Sequence, residues 1–267
     1  MKRLFSLIDI GWRFLATVIS FTVFGLGGLA LRCIAFPLMH WWFRDQTKET
    51  ILARKLINRS FRLFTWLMAA LGIYRVEIQG AHHLNRPGLL LLANHPTLID
   101  IVFLISLTER ANCIVKSSLL TNPFTRGPLR GANYIINNRE GAALLEACIA
   151  SIQCGDHLII FPEGTRTRHG SHELELHRGS ANIAVRAGHP ITPVLIHCDQ
   201  PFLTKGAPWW KIPPQRPNLR IEIGEDLDTT TITQECANEA LAARFLNQYM
   251  KNYFEKEIIH AASGRSH

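Results

Sequence analysis

The chain begins with a long apolar stretch that carries almost no charge. Residues 14–31 contain no charged side chain, and as a helix they would measure roughly 27 Å, close to the hydrocarbon thickness of a bilayer. The apolar pattern resumes after Arg32 and ends near Trp41 and Trp42, and tryptophans at such a position are typical of a membrane interface. Residues 1–45 are therefore predicted to be a membrane segment, which either spans the bilayer as a transmembrane helix or lies embedded in it as a hairpin.

A cleaved signal peptide is the alternative interpretation of this segment. Such a peptide has a short apolar region that ends at a cleavage site of small residues. Here the apolar stretch is long, and Arg32, Trp41 and Trp42 follow it where that site would be expected. We therefore favour a retained membrane segment.

The next part of the chain has an amphipathic pattern with helical spacing. Between residues 48 and 72, apolar residues such as Phe61 and Phe64 alternate with basic ones such as Arg54. Basic residues mixed with aromatic ones predict a helix at a membrane surface, and a helix that covers the core of the folded domain is the alternative. Residues 46–75 are assigned to this amphipathic, membrane-associated helix.

Short apolar runs then alternate with helical patterns. The runs predict seven strands, at 74–78, 89–93, 112–116, 133–136, 157–161, 191–196 and 219–223. Helical patterns occur at 97–109, 140–153, 178–187 and 233–256. Strands that alternate with helices predict an α/β fold with a mixed, mostly parallel sheet flanked by helices, here over residues 76–258. Residues 259–267 are expected to form a disordered tail.

The positive charge of the chain is concentrated beside the apolar segment. Residues 1–75 hold eleven Lys or Arg and three acidic residues, whereas residues 76–267 hold equal numbers of both signs. An anionic membrane surface attracts charge placed in this way, while a nucleic-acid-binding protein would carry a basic face on its folded domain. The phospholipid bilayer is therefore the predicted partner, and nucleic acid is not. The larger basic cluster follows the apolar segment, which favours a cytoplasmic position for the folded domain. The expected location is an inner or cytoplasmic membrane.

The cysteines and histidines show no metal-binding spacing. The six cysteines form no C-x-x-C pair, so reduced and mostly buried thiols are expected rather than a disulfide framework or a zinc site. The twelve histidines include no H-E-x-x-H sequence, which argues against a metallohydrolase. We expect no metal and no cofactor.

The first candidate catalytic group follows the predicted strand 89–93. Pro96 and Thr97 suit the start of a helix, so the turn can bring the carboxylate of Asp100 back to the imidazole of His95. A histidine can take the proton of an alcohol near neutral pH, and an aspartate can fix its tautomer and stabilise the imidazolium. If the group to be transferred is carried as a thioester, its carbonyl is already electrophilic. The alcohol can then attack it directly, and such a pair needs no serine or cysteine nucleophile. A histidine at a helix cap beside a surface aspartate is the alternative.

The second candidate group, F-P-E-G-T-R at residues 161–166, also follows a predicted strand. Ligands bind outside the carboxyl ends of strands in α/β sheets. Gly164 would let the backbone approach a ligand closely, and Arg166 offers a planar fork for a phosphate. Lys116 and Arg178 would add positive charge.

Together these motifs resemble those of the lysophosphatidic acid acyltransferases, the glycerolipid acyltransferase family. Residues 94–100 resemble the family's N-H-x4-D block, residues 161–166 its F-P-E-G-T-R block, and residues 191–194 its later V-P-V-type block. The order and spacing agree over roughly residues 48–255. The resemblance also implies a membrane element of two helices ahead of the α/β domain.

The resemblance implies specific roles for the residues of these motifs. His95 would be the catalytic base and Asp100 its partner. The residues implied in binding and positioning the substrate are Glu163, Gly164, Thr165, Arg166, Lys116, Arg139 and Arg178.

One block departs from the family pattern. Relatives carry I-D-R at the end of a strand between the two motifs, whereas this chain has I-I-N-N-R at residues 135–139. Asparagine replaces the aspartate, and Arg139 is displaced by about one residue. We expect Arg139 to reach the acceptor phosphate, but the shift leaves the identity of the acceptor open.

The implied activity transfers a fatty acyl group from acyl-ACP (acyl carrier protein) or acyl-CoA, a co-substrate rather than a cofactor. The acceptor is the free hydroxyl of 1-acyl-glycerol-3-phosphate, and the product is phosphatidic acid for phospholipid synthesis. One alternative keeps this chemistry and uses another lysophospholipid or a specialised lipid. A second is a hydrolase in which His95 activates water. A third, a non-catalytic membrane scaffold, is disfavoured because both motifs are intact.

Overall fold

Seven strands form one sheet in the part of the chain that the computed structural model describes, which comprises residues 2–137, 141–167, 170 and 173–262. The strands are β1 (Arg75–Gln79), β2 (Leu90–Ala93), β3 (Ala111–Lys116), β4 (Ile135–Asn137), β5 (His157–Ile160), β6 (Ile191–Cys198) and β7 (Asn218–Ile223). All seven predicted strands are confirmed, and their ends lie within two residues of the predicted positions.

The sheet is mixed and mostly parallel, as predicted. Its strand order is β1-β7-β6-β2-β5-β3-β4. The five strands from β6 to β4 are parallel, β7 is antiparallel to β6, and β1 is parallel to β7. The carboxyl ends of β2, β5, β3 and β4 therefore meet at one edge of the sheet.

The apolar segment at the start of the chain is one continuous helix. It consists of α1 (Lys2–Ala30), a π-helical turn (Leu31–Ala35) and α2 (Phe36–Trp42). The part from Ser6 to Trp42 is long and apolar enough to cross a membrane, by length and composition. The alternative of a hairpin within this segment is wrong, because no break separates two helices there.

The other helices agree with the sequence pattern, with two short additions. Those predicted are α3 (Gln46–Ala70), α4 (Asp100–Leu107), α6 (Gly141–Gln153), α7 (Gly179–Ala187) and α9 (Glu239–Ala262). The additions are α5 (Arg126–Gly131) and α8 (Thr229–Thr233). Their glycine, proline and threonine residues have low helix propensity, so the sequence pattern did not predict these two helices. Residues 259–262, assigned to a disordered tail, are helical, and residues 263–267 lie outside the described part of the chain.

The sheet separates two apolar cores. Leu91 and Ala93 of β2 belong to the core that includes α3 and α4, whereas Leu90 and Leu92 belong to the core that includes α6, α7 and α9. Fully burying one leucine side chain contributes about 1.5–3 kcal/mol. Packing on both faces therefore fixes β2 firmly, and with it the loop that follows β2.

Helix α1 packs on the domain with an unusual pattern. The side chains that it buries include Arg13, Ala16, Thr17 and Ser20, which are small or polar. Its exposed side chains are large and apolar, among them Phe14, Leu15, Ile19, Val23 and Leu26. Soluble proteins show the opposite arrangement, so this outer face suits contact with lipid.

Helix α1 runs antiparallel to α3. Near the start of α1, the Trp12 Nε1–H donates to the carbonyl of Leu71 over 2.9 Å. Further along, the Phe24 ring lies 4.9 Å from the ring of Phe64, measured between centroids. The two-helix element expected from the family resemblance is therefore formed by the apolar helix and α3.

Helix α3 also covers the core, and one of its basic residues is buried. Arg54, expected among the membrane-surface charges, has its Nη1 2.6 Å from Asp156 Oδ2, and its Nε donates to the carbonyl of Ala132. That expectation for Arg54 is wrong, because its charge is paired inside the domain. Leu63 and Trp66 of α3 remain exposed. The helix therefore combines both alternatives that the sequence left open.

All six cysteines lie in the described part of the chain, and none of them is in a disulfide there. Cys113, Cys148 and Cys198 are buried, and burial raises the pKa of the Cys113 and Cys198 thiols to about 12. Cys33 and Cys154 are exposed, in contrast to the expectation that most of the thiols are buried.

Candidate active site

The two motifs meet because β2 and β5 are neighbours and parallel. Leu92 of β2 pairs with Ile160 of β5, so both strands end at the same level of the sheet. His95 follows β2, and the segment 161–166 follows β5. Parallel strand pairing therefore places both motifs at one carboxyl edge, as the sequence predicted.

His95 and Asp100 form a hydrogen-bonded pair. The Nδ1 of His95 lies 2.8 Å from Oδ2 of Asp100, which begins α4. The Asp100 carboxylate also accepts the backbone N–H of Thr97 at 2.7 Å and the Thr97 hydroxyl. Because a carboxylate only accepts, the proton of the neutral imidazole lies on Nδ1 and the lone pair on Nε2.

The pair is partly shielded from water. The Asp100 side chain is fully buried, and that of His95 is 17% exposed. Burial raises the pKa of Asp100, and the hydrogen bonds from His95 and Thr97 oppose that rise. The carboxylate is thus a fixed acceptor, while one edge of the imidazole remains accessible.

Glu163 of the second motif and Thr167, the residue after the motif, hold the backbone of His95 through hydrogen bonds. Oε1 of Glu163 accepts the backbone N–H of His95 at 3.0 Å, and Oε2 accepts the hydroxyl of Thr167 at 2.5 Å. The backbone N–H of Thr167 donates to the carbonyl of His95 at 2.8 Å. Glu163 is buried, so its carboxylate positions His95. The sequence did not single out Thr167, and its spacing of four residues from Glu163 was the only signal.

Two further features of this loop fix its shape. The ring of Phe161 stacks on the imidazole of His95, with centroids 4.1 Å apart. Gly164 has φ +62°, and a Cβ there would lie 3.0 Å from the His177 ring. Glycine is therefore required at that turn. Gly164 and Thr165 are exposed beside the pair.

Arg166 is partly buried and bound to a distant loop. Its Nη1 donates to the carbonyls of Leu203 at 3.0 Å and Thr204 at 3.3 Å. The Leu203 carbonyl also accepts the backbone N–H of Leu98 at 3.0 Å. Both bonds of Arg166 use Nη1, so Nε and Nη2 carry donors that these bonds leave unused.

Asn94 links the first motif to β6. Its side-chain Nδ2 donates to the carbonyl of Ile196 at 2.8 Å, and its Oδ1 accepts the Ile196 N–H at 2.7 Å. Asn94 is buried, and this pair of bonds continues the β2–β6 ladder beyond its last strand pair. The asparagine therefore fixes the position where the histidine loop leaves the sheet.

The remaining predicted residues lie around this edge or outside the described chain. Lys116 is exposed at the carboxyl end of β3, beside β5. Arg178 is exposed at the amino end of α7. Arg139 lies outside the described residues. Asn137, which precedes it closely, pairs with Lys116 in the sheet. Within the described ranges, no group of three or more His, Cys, Asp or Glu side chains is arranged to hold a metal.

The arrangement defines a class of enzyme. A histidine with a free Nε2 and a buried aspartate partner can deprotonate a hydroxyl at the edge of an α/β sheet, beside an arginine suited to an anion. Such an arrangement is suited to an enzyme that uses general-base catalysis.

Comparison with known proteins gives the family. Residues 75–197 match the family model described as Acyltransferase. The chain is 30% identical to the 1-acyl-sn-glycerol-3-phosphate acyltransferase of Helicobacter pylori, over 62% of this chain and 70% of that protein. It is 27% identical to the protein of that name from Pseudomonas aeruginosa, over 60% and 63%. With the mouse alpha enzyme it shares 32% identity, over 49% and 48%.

The fold agrees with a solved relative. The crystal structure of the 1-acyl-sn-glycerophosphate acyltransferase PlsC from Thermotoga maritima matches over the full length of both chains, with a TM-score of 0.69 and 20% identity. The chain thus belongs to the Acyltransferase family, among the glycerolipid acyltransferases, and is an acyltransferase.

Proposed function

We propose that this acyltransferase moves a fatty acyl group from a thioester to the free hydroxyl of 1-acyl-glycerol-3-phosphate and so produces phosphatidic acid. The observation that carries the proposal is the 2.8 Å contact between His95 and Asp100 at the sheet edge that also holds Arg166. The names of the most similar relatives support this acceptor.

In the proposed reaction His95 is the base. Its Nε2 takes the proton of the acceptor hydroxyl while the oxygen attacks the thioester carbonyl. The new C–O bond forms, the C–S bond breaks, and the imidazolium returns the proton to the thiolate that leaves. Asp100 stabilises the imidazolium and holds Nδ1–H, so that Nε2 stays directed to the substrate. No covalent enzyme intermediate is required.

The acceptor phosphate is proposed to bind at the cationic part of this edge. Arg166 supplies Nε and Nη2, which its bonds to Leu203 and Thr204 do not use, and Lys116 and Arg178 supply positive charge. Gly164 and Thr165, which are exposed, directly precede Arg166 in the chain. Arg139, which follows β4 in the sequence and lies outside the described residues, is proposed to contribute as well.

The donor is proposed to be acyl-ACP or acyl-CoA. Both deliver the same thioester, and the proton transfers above are the same for either. No further cofactor enters the proposed reaction.

The protein is proposed to work at a bilayer, with its catalytic domain on the cytoplasmic side of the inner or cytoplasmic membrane. The proposed lipid acceptor and the outward-facing apolar side chains of α1 support a location at a bilayer. The basic residues after the apolar helix, such as Arg44 and Lys48, support the orientation.

An acyl-transfer assay tests the proposed function. Purified protein in liposomes is given a labelled acyl thioester and a set of lysophospholipids, beside a His95→Ala variant. Labelled phosphatidic acid is expected with the wild type, and a loss of about 10²–10⁴-fold with His95→Ala. Label in another lipid would overturn the acceptor, and free fatty acid alone would make the enzyme a hydrolase. Activity of His95→Ala above roughly a tenth of wild type would contradict the role of the base.

A further inference from the structure

The segment between β6 and β7 contacts both motifs of the candidate active site and the apolar helix. Residues 199–217, called the Trp loop here, contain no helix or strand. Their prolines lie at positions 201, 208, 213, 214 and 217. Because proline has no N–H and restricts the backbone, such a loop offers carbonyls to other groups and keeps a defined shape.

One end of the Trp loop lies at the candidate active site. The Leu203 carbonyl accepts hydrogen bonds from Leu98 of the first motif and from Arg166 of the second. Leu203 is buried and has φ +51°, a backbone conformation that a leucine rarely adopts. Such strain persists where the surrounding structure holds it in place. The loop therefore sets where the guanidinium of Arg166 lies.

The other end of the loop is fastened to the apolar helix. Nη1 of Arg13 donates to the carbonyl of Pro213 at 2.9 Å, and Nη2 donates to that of Pro214 at 3.0 Å. Nε of Arg13 contacts Asp9 Oδ2 at 2.8 Å. The Arg13 side chain is fully buried. A buried charge is costly unless it is paired and hydrogen-bonded, so these contacts hold the loop against α1.

The middle of the loop presents two exposed indole rings. Trp209 is 39% exposed and Trp210 is 55% exposed. The centroid of the Trp209 ring lies 5.4 Å from that of Phe21, a partly buried residue of α1. The exposed indoles therefore lie next to this helix. Lys205 and Lys211 are exposed on either side.

The chemistry of this surface selects an anionic bilayer as its partner. Indole rings prefer the membrane interface, where the apolar body meets the acyl chains and the N–H meets water. Lysines beside them are attracted to anionic headgroups. Helix α1, which the loop contacts through Arg13 and Phe21, also turns large apolar side chains away from the domain.

We propose that the Trp loop is a membrane-docking element, separate in sequence from the apolar helix, which places Trp209 and Trp210 in the interface of an anionic bilayer. Through Leu203 and Thr204 it holds Arg166 in fixed relation to the headgroup layer. The docking does not depend on the proposed function. Only the effect of docking on binding of the acceptor phosphate rests on the proposed function.

A fluorescent probe tests the docking directly. The exposed Cys33 and Cys154 and the partly exposed Cys236 are replaced by serine, and Trp210→Cys is labelled with an environment-sensitive fluorophore. The protein is reconstituted into phosphatidylcholine vesicles with phosphatidylglycerol that carry nitroxide-labelled lipids. The matched control is a probe at Phe245→Cys, since Phe245 is 52% exposed on α9. Helix α9 contributes to the core on the other side of the sheet from α3.

Lipid nitroxides are expected to quench the probe at position 210 at least about fivefold more than the probe at position 245. Aqueous iodide is expected to quench the probe at position 245 more than the probe at position 210. Equal quenching at both positions would overturn the proposal. If lipid nitroxides quench the probe at position 210 to the same extent in vesicles of phosphatidylcholine alone as in vesicles with phosphatidylglycerol, the docking does not require an anionic bilayer.

Kinetics test the link to the site. Replacing both Trp209 and Trp210 by alanine is expected to raise the KM for lysophosphatidic acid in anionic vesicles by about tenfold, with kcat changed less than about twofold. Phe245→Ala is the control, with KM unchanged. An unchanged KM in the double variant would overturn the link. If the wild type acylates no lysophospholipid, the proposed function fails, while the quenching result still decides the docking.

Discussion

The backbone N–H of Thr167 donates to the carbonyl of His95 over 2.8 Å, and the Thr167 hydroxyl lies 2.5 Å from Oε2 of Glu163. Since Oε1 of Glu163 accepts the N–H of His95, threonine and glutamate hold the histidine backbone from both sides. The two motifs are therefore one mechanical unit. The position of the proposed base depends on residues that need not touch the substrate.

Thr167→Val tests this unit, because valine keeps the shape and the backbone N–H but removes the hydroxyl. We expect kcat to fall about tenfold while both KM values stay within about twofold, because small misplacement of a catalytic group mainly slows the chemical step. Steady-state kinetics measure both quantities. Thr167→Ser, which keeps the hydroxyl, should retain most of the activity. A valine variant with unchanged kcat would refute the positioning role.

Glu163→Gln tests how the buried carboxylate affects stability. Burial raises the pKa of Glu163, and the Thr167 and His95 hydrogen bonds oppose the rise. The folded state therefore binds the proton more tightly than the unfolded state, so this group lowers stability as pH rises from about 4 through its raised pKa. Glutamine carries no charge and can still accept the His95 N–H. The melting temperature of Glu163→Gln relative to wild type should thus increase with pH across that window.

A thermal melt at several pH values decides the point. A difference between the two proteins that does not change with pH would show that Glu163 titrates alike in both states. A difference that falls as pH rises would mean that hydrogen bonding, rather than burial, dominates the pKa of this carboxyl.

The sequence predicted the strands and the two motifs because those features are local. Each strand is a short apolar run, and each motif directly follows a strand that is buried on both faces. The buried arginines could not be predicted in the same way. Arg13 finds its carbonyl partners about two hundred positions later, and Arg54 finds Asp156, so nothing near either arginine in sequence signals its burial.

The role of the Trp loop was hidden for a related reason. Its contacts with Arg166 are made by backbone carbonyls, which every residue carries. Only the positive φ of Leu203 distinguishes the position, and leucine gives no sign of that conformation in a sequence. Trp209 and Trp210 were visible in the sequence, but whether they faced lipid or packed inside depended on the fold.

Arg54→Met should destabilise the protein strongly. The substitution leaves the buried carboxylate of Asp156 without its 2.6 Å partner, although Arg110 remains 3.2 Å away. Loss of one member of a buried pair costs about 3–5 kcal/mol, and Arg110 should keep the loss near the lower end. Lys55→Ala is the control, since its ion pair with Glu109 is exposed and should contribute less than about 1 kcal/mol. Similar melting temperatures for the two variants would contradict the importance of the buried pair.

Two neighbouring glycines of α1 separate helix propensity from packing. A Cβ at Gly28 would lie 2.6 Å from the backbone carbonyl oxygen of Phe124, whereas a Cβ at Gly27 would have no atom within 4 Å. Alanine in a helix is about 1 kcal/mol more favourable than glycine, so Gly27→Ala should keep or raise the melting temperature. Gly28→Ala must push α1 away from the segment around Phe124, which should cost about 1–3 kcal/mol.

The effect of Gly28→Ala should extend to the site. Phe124 lies between β3, which ends at Lys116, and β4, so moving this segment displaces the edge where the acceptor phosphate is proposed to bind. We therefore expect a higher KM for the lysophospholipid in Gly28→Ala and an unchanged one in Gly27→Ala. Melting temperatures in detergent and kinetics in vesicles measure the two effects. If the two variants have the same melting temperature and the same KM for the lysophospholipid, the packing of α1 does not depend on the close contact at Gly28. The position of the helix would then leave the site unaffected.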